Sequence, residues 1–122
     1  MKKILIFFLI VLFSGCSLQR MSKDELFKNN QECYKYKKDI EERVKSENEQ
    51  GEREIIESIF YSPKVNSCLY VKVSIGVNYW KYLYDVMKDE YGGAIDSCFK
   101  NKDDSWSSCE EFDERIKNKW KK

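Results

Sequence analysis

The chain of 122 residues contains no histidine. This absence removes the imidazole base of Ser-His-Asp and Cys-His catalytic sites. It also removes imidazole as a ligand for metal ions. If the cysteines are paired in disulfides, no thiolate nucleophile remains either. Most forms of nucleophilic and metal-dependent catalysis are therefore not expected from this sequence.

Features that bind nucleotides and nucleic acids are missing as well. The chain has no G-x-x-x-x-G-K and no G-x-G-x-x-G motif, and Gly92-Gly93 is interpreted as part of a turn. Its 22 basic side chains are balanced by 21 acidic ones, so no positive excess favours nucleic acid. No cysteine pair has the C-x-x-C spacing of a zinc site. We expect no cofactor, no metal and no nucleic-acid partner.

The longest apolar run, residues 4–13, is too short to cross a bilayer as a helix, which takes roughly 20 residues. It follows Lys2 and Lys3, and it ends at the small residues Ser14 and Gly15. A basic start, a short apolar run and small residues at its end are typical of an export signal.

The segment Leu12-Phe13-Ser14-Gly15-Cys16 resembles the lipobox of bacterial lipoproteins, with Phe13 where that pattern usually has leucine. The resemblance implies cleavage before Cys16 and attachment of diacylglycerol to its thiol. It divides the chain into a signal peptide (1–15), an acylated cysteine with a tether (16–21) and a single domain (22–122). Two or more acyl chains hold a protein stably on a membrane, so a lipid membrane is the expected partner of Cys16. An ordinary secretory signal and an uncleaved signal anchor are the alternatives.

Ser17 bears on the location of the anchored protein. In lipoproteins of Gram-negative bacteria, an aspartate directly after the acylated cysteine favours retention in the inner membrane. Ser17 therefore favours the outer membrane, on its periplasmic side or its surface. The expected location is the bacterial cell envelope, outside the reducing cytosol.

Four cysteines remain in the domain: Cys33, Cys68, Cys98 and Cys109. An even number in a small exported domain indicates two disulfides with three possible pairings. We predict that each bridge joins one helix to the sheet, as Cys33–Cys68 and Cys98–Cys109. The main rival pairing is Cys33–Cys109 with Cys68–Cys98.

Local patterns predict the elements around these cysteines. Ser22 and Glu25 form a capping box that starts a long helix, which fades between residues 46 and 51. Residues 55–61 are ambiguous between helix and strand, and β-branched enrichment favours a strand. Alternation at residues 68–77 predicts a half-buried strand with a single apolar face. Further strands are expected at 79–87 and 94–99, and a final helix follows with one stripe: Cys109, Phe112, Ile116 and Trp120.

The expected fold is therefore α+β, with a long N-terminal helix, a three- or four-stranded antiparallel meander and a C-terminal helix. We expect both helices on the one apolar face of the sheet. The first helix should bury an apolar stripe: Leu26, Phe27, Cys33, Tyr34, Ile40 and Val44.

Two groups of residues are candidates for a functional site. Trp80, Tyr82 and Tyr84 share one face of a strand and form a possible binding surface, because tyrosine and tryptophan are enriched at binding hot spots. Core packing is the alternative role for these rings. The second group is a set of carboxylates that would serve a glycoside hydrolase: Glu57, Asp85, Glu90 and Asp96.

The favoured hypothesis is a membrane-anchored, non-enzymatic envelope lipoprotein that binds a protein partner. One alternative is a carboxylate-pair hydrolase acting on envelope polysaccharide, and another is a structural spacer that uses its first helix as a strut. Residues 60–70 are also similar to stretches of uncharacterised small exported bacterial proteins, a similarity that implies no activity.

Overall fold

The computed structural model describes residues 20–48, 53–88, 93–100 and 107–122. Two helices, α1 (Lys23–Tyr34) and α2 (Lys37–Glu47), precede the sheet, and α3 (Ser107–Arg115) follows it and continues into a π-helical turn (Ile116–Trp120). The strands, which pair antiparallel in chain order, are β1 (Arg53–Ser62), β2 (Ser67–Ile75), β3 (Tyr79–Asp85) and β4 (Asp96–Lys100). The α+β class and the meander are confirmed. β2 and β3 each end two residues before the predicted position.

The predicted capping box starts α1. The Ser22 hydroxyl accepts a hydrogen bond from the Glu25 backbone amide at 3.2 Å, and the Glu25 carboxylate accepts one from the Ser22 amide at 3.2 Å. Two backbone amides that have no partner within the helix are thereby satisfied.

The long N-terminal helix bends at Lys35 and Tyr36, which separate α1 from α2. The bend keeps Cys33 in α1 and both Ile40 and Val44 in α2 against the sheet, each with at most 3% of its surface exposed. A straight helix of this length would be roughly 36 Å long and would extend past the edge of the sheet.

Two members of the predicted apolar stripe are not buried. Phe27 is 65% exposed and Tyr34 is 59% exposed. Each directly follows a residue that packs toward the sheet, Leu26 and Cys33 respectively. Successive helical residues are about 100° apart, so both rings lie on the flank of α1 rather than against the sheet.

The helices pack on opposite faces of the sheet, which corrects the prediction that both lie on one face. The side chains of α1 and α2 pack with Ile59, Tyr61 and Tyr70. The stripe of α3 and the π-helical turn packs on the other face, with Phe60, Leu69, Val71, Val73 and Leu83.

β2 is buried on both faces rather than half-buried. Leu69, Val71 and Val73 face α3, while Tyr70, Lys72 and Ser74 on the opposite face are each at most 5% exposed. The predicted alternation is present, but the face opposite α3 is buried too, because Tyr70 packs with α1 and α2 and Lys72 lies against Glu54 and the Tyr84 ring. At the end of the strand, Ile75 is 40% exposed and Val77, just after it, is 82% exposed.

A β-bulge at Glu57 explains the ambiguous pattern of β1. Ile56 pairs with Lys72, and Ser58 pairs with Val71, so Glu57 is an extra residue. The bulge lets Ile56 and Ile59, three residues apart, both pack with the N-terminal helices. Their helix-like spacing therefore occurs within a strand.

Both predicted disulfides are present. Cys33 of α1 is bonded to Cys68 of β2, with a Cα–Cα distance of 5.5 Å. Cys98 of β4 is bonded to Cys109 of α3, with a Cα–Cα distance of 5.2 Å. One bridge therefore fastens a helical layer to each face of the sheet.

Candidate functional site

Trp80, Tyr82 and Tyr84 form a continuous row of rings on β3, which we call the aromatic row. Alternate positions on a strand share a face, so these three side chains stand side by side. The ring centroids of Trp80 and Tyr82 are 5.8 Å apart with nearly parallel planes. Those of Tyr82 and Tyr84 are 5.9 Å apart. All three side chains are half-buried.

Neighbouring strands hold the row at both ends. The Phe99 ring of β4 lies 4.2 Å from the Trp80 ring, and the Tyr70 ring of β2 lies 5.4 Å from the Tyr84 ring. Tyr70 is only 1% exposed, so it belongs to the core. Aromatic pairs at these distances attract one another beyond the area that they bury. The rings are thus held in defined positions by the sheet.

The aromatic row lies beside the N-terminal helical layer, on the same face of the sheet. Tyr84 packs against the cluster formed by α1 and α2, whereas Trp80 and Tyr82 do not belong to it. Within the part of the chain that the structure describes, α1 and α2 pack mainly on β1. The row therefore occupies the portion of this face over β3 and retains partly accessible ring surface.

A buried lysine adjoins the row. Lys72 of β2 is 5% exposed, and its Nζ lies 5.4 Å from the centroid of the Tyr84 ring. The same Nζ is 3.4 Å from Oε2 of Glu54. A cation over a ring face is attracted to the ring electrons, so Lys72 further restrains Tyr84.

A second buried lysine lies on the α3 face. Lys81 of β3 donates to the Glu57 carboxylate at 2.8 Å and to the Asp113 carboxylate at 2.9 Å. Burial by itself lowers the pKa of Lys81, but the hydrogen bonds to these two carboxylates outweigh it, so the pKa is raised. Burial also disfavours the charged form of the nearby Tyr79 hydroxyl and so raises its pKa. The positive charge of Lys81 offsets this rise only in part. The burial of Lys72 and Lys81 was not predicted from the sequence, because lysines that alternate with apolar residues on a strand are expected to face solvent.

A groove of about 560 Å³ adjoins Lys81, between the β2–β3 turn and α3. Ile75, Val77 and Tyr79 supply apolar surface on one side, and Asp113 lies on the other. The charges of Lys81 and Asp113 are already engaged with each other. Lys100 and Glu110 add charged side chains of both signs, but most of the lining surface is apolar.

The candidate carboxylates are held by separate partners. Glu57 is bonded to Lys81, as described above. Asp85 accepts hydrogen bonds from the Ser67 hydroxyl at 2.7 Å and from the Met87 amide at 2.9 Å. Asp96 accepts two from the Arg115 guanidinium, at 2.9 and 3.0 Å, and these hold the pKa of Asp96 below its ordinary value. Glu90 lies outside the described residues.

Other predicted features are only partly covered by the structure. Cys16 lies outside the described residues. In the described ranges no helix combines the length and the apolar character that a bilayer-spanning segment needs. Among those same residues, no cluster of three or more acidic and cysteine side chains is placed to hold a metal ion.

The chain matches no protein-family model, no curated protein and no solved structure. Its function therefore has to be inferred from its own residues.

Proposed function

We propose that this protein is a lipid-anchored protein of the bacterial envelope that binds a protein partner through the aromatic row and catalyses no reaction. The observation that carries the proposal is the row itself, three half-buried rings held in place by Phe99, Tyr70 and Lys72. Rings that are already fixed lose little conformational freedom on binding, which favours affinity.

The arrangement of charges supports binding over hydrolysis. A hydrolase of polysaccharide needs two carboxylates that flank one bond, one of them protonated. Glu57, Asp85 and Asp96 instead each accept hydrogen bonds from a different group: Lys81, Ser67 and Arg115. The path of α1 and α2 across the sheet likewise gives little support to a protruding strut.

The anchor part of the proposal rests on the lipobox-like segment that ends at Cys16. Acylation there would confine the domain to a membrane surface. Confinement raises the effective concentration of the domain toward any partner on that membrane, so an interface of moderate affinity suffices.

The proposal is tested by affinity capture of the full-length protein from its own membranes after mild crosslinking. We expect wild type to recover a specific protein that the Tyr82→Ala variant loses. The Tyr36→Ala variant is the matched control, because Tyr36 is 43% exposed and lies in the bend between α1 and α2, outside the aromatic row. It should recover the partner as wild type does.

A Cys16→Ser variant separates anchoring from recognition. We expect it to leave the membrane fraction and to recover less of the partner from intact cells, while still binding the purified partner. Equal recovery by the Tyr82→Ala and wild-type proteins would reject the aromatic row as the interface. Recovery of only further copies of this chain would favour the spacer hypothesis, and recovery of polysaccharide alone would reject a protein partner.

A further inference from the structure

Two exposed aromatic side chains of α1 lie on one side of the helix and belong to neither core cluster of the described residues. Phe27 is 65% exposed and Tyr34 is 59% exposed. They are seven residues apart, close to two helical turns, so they lie in line about 10 Å apart along the axis. Lys23, one turn before Phe27, lies on the same side and is exposed. We call Lys23, Phe27 and Tyr34 the α1 stripe.

The position of the α1 stripe in the chain suggests what it contacts. Lys23 is only seven positions after Cys16 in the chain. A fully extended chain spans at most about 3.5 Å per residue, so α1 begins within about 25 Å of the cysteine. An acyl anchor at Cys16 would therefore keep the start of α1 within reach of the membrane surface, without deciding which side of the domain faces it.

The composition of the stripe suits the boundary between lipid headgroups and acyl chains. Phenylalanine on a surface helix enters this zone, and tyrosine is enriched there because its ring is apolar and its hydroxyl is polar. Arg20, Lys23 and Lys28 are exposed in the same part of the chain and suit the phosphate groups of lipids. Asp24 and Glu25 are exposed there too, so the basic side chains exceed the acidic ones by one.

We propose that the α1 stripe rests in the headgroup region of the bilayer that carries the Cys16 anchor, so that the domain is held in one orientation. The inference depends on the lipid anchor of the proposed function. Because the anchor already confines the domain, two shallowly inserted rings suffice to select one orientation over others.

This orientation places the two ends of the sheet at different distances from the membrane. α1 is fastened to one end, through the Cys33–Cys68 bridge and a 2.8 Å hydrogen bond from the Tyr61 amide to the Asn30 side chain. Val77 follows the opposite end, where Ile75 pairs with Arg53. Ile75 is seven positions after Cys68 along the strand, which is roughly 23 Å. Val77 is therefore a control position remote from the proposed contact.

The test uses the acylated full-length protein in vesicles of phosphatidylethanolamine and phosphatidylglycerol that contain a lipid with a nitroxide near its headgroup. Fluorophenylalanine replaces either Phe27 or Val77, both of which are exposed, so the fold should tolerate the label. Fluorine NMR then reports the distance of each position from the nitroxide. We expect loss of the signal at position 27, its retention at position 77, and recovery of the lost signal when ascorbate reduces the nitroxide.

A second variant tests the stripe itself. Fluorophenylalanine at Gln31, which is exposed and lies near the stripe on α1, should lose its signal in the same way. Adding Phe27→Ser and Tyr34→Ser should restore the signal at position 31, while the protein still floats with the vesicles through its acyl chains.

The outcomes separate the inference from the anchor on which it depends. Flotation with equal signals at positions 27 and 77 would overturn the orientation and leave the anchor intact. Loss at position 77 alone would overturn it as well. Failure of the wild-type protein to float with vesicles would overturn both the anchor and the orientation.

Discussion

Lys81 Nζ and Asp113 Oδ1, 2.9 Å apart, connect the centre of the sheet to α3. The same nitrogen is 2.8 Å from Oε1 of Glu57 on β1, so a single lysine joins three elements. The lysine side chain is 8% exposed, whereas the two carboxylate side chains are 42% and 46% exposed. The cost of desolvation therefore falls mainly on the Lys81 cation, which needs at least one carboxylate partner to offset that cost.

The first prediction concerns the loss of these carboxylates. Glu57→Gln or Asp113→Asn alone should lower the free energy of unfolding by only about 0.5–1 kcal/mol, because the other carboxylate still pairs with Lys81. The double variant should lose about 2–3 kcal/mol, more than the sum, because a buried cation then lacks a carboxylate partner. Urea unfolding of the four proteins measures this coupling, and strictly additive losses would contradict it.

The raised pKa of Lys81 sets the direction of a pH effect. A lysine whose folded pKa lies above its unfolded value, near 10.5, stabilises the fold fully below that value. The contribution is lost as pH rises through the folded pKa. In the double variant burial dominates, so we expect the Lys81 pKa to fall below 10.5, as monitored by NMR of the side-chain nitrogen. An unchanged Lys81 titration in the double variant would show that Glu57 and Asp113 do not raise the Lys81 pKa.

A second prediction concerns how Asp96 contributes to the stability of the fold at low pH. Its folded pKa is lowered by Arg115 from about 3.8, so its contribution is present above that value and is lost as pH falls through the folded pKa. Asp96→Asn should cost about 1 kcal/mol at neutral pH, since the pair is bidentate but partly exposed. The difference from wild type should shrink as pH falls through the folded pKa and vanish below it. A difference that persists in acid would point to packing instead.

A third prediction ranks the disulfides. The Cys33–Cys68 bridge closes a separation of 35 residues and Cys98–Cys109 one of 11. Chain-entropy arguments give roughly 3.8 and 2.8 kcal/mol respectively, so replacing the first pair with serine should destabilise more, by about 1 kcal/mol. Peptide mapping of the unreduced protein checks the pairing itself. Finding Cys33 linked to Cys109 would contradict the structure.

A fourth prediction tests the start of α1. Ser22→Ala removes the hydroxyl that accepts from the Glu25 amide, and should cost about 1 kcal/mol of stability. Ser22→Asp should retain most of the lost stability, because an aspartate carboxylate can also accept a hydrogen bond from the start of the helix. Its negative charge is in addition attracted to the positive end of the helix dipole. Thermal unfolding of both variants provides the comparison, and equal losses would exclude a capping role.

Several elements were predictable because their signals are local. The capping box at Ser22 and the apolar stripe of Phe112, Ile116 and Trp120 each lie within a few turns of one helix. The turn before β2 spans residues 63–66, and Asn66 there adopts a positive φ of 49°. Asparagine tolerates this conformation better than most residues, which makes it a useful signal for a turn.

The candidate site was only partly predictable. The shared face of Trp80, Tyr82 and Tyr84 follows from strand alternation, but the rings that fix them, Phe99 and Tyr70, come from β4 and β2 and depend on strand register. The partners of Lys81 and Asp96 lie between 19 and 32 residues away in the chain, and no local pattern links them.

The sequence by itself determined the order and type of the elements, their start and stop positions to within a few residues, and which side chains share a face of β2 and of β3. These properties depend on backbone preferences and on periods of two and 3.6 residues, which a short window contains. Tertiary structure alone decided that the helical layers lie on opposite faces, that the N-terminal helix bends, and that Tyr70, Lys72 and Ser74 are buried. Burial of a polar strand face depends on what covers it, and that is set by contacts between residues far apart in the chain.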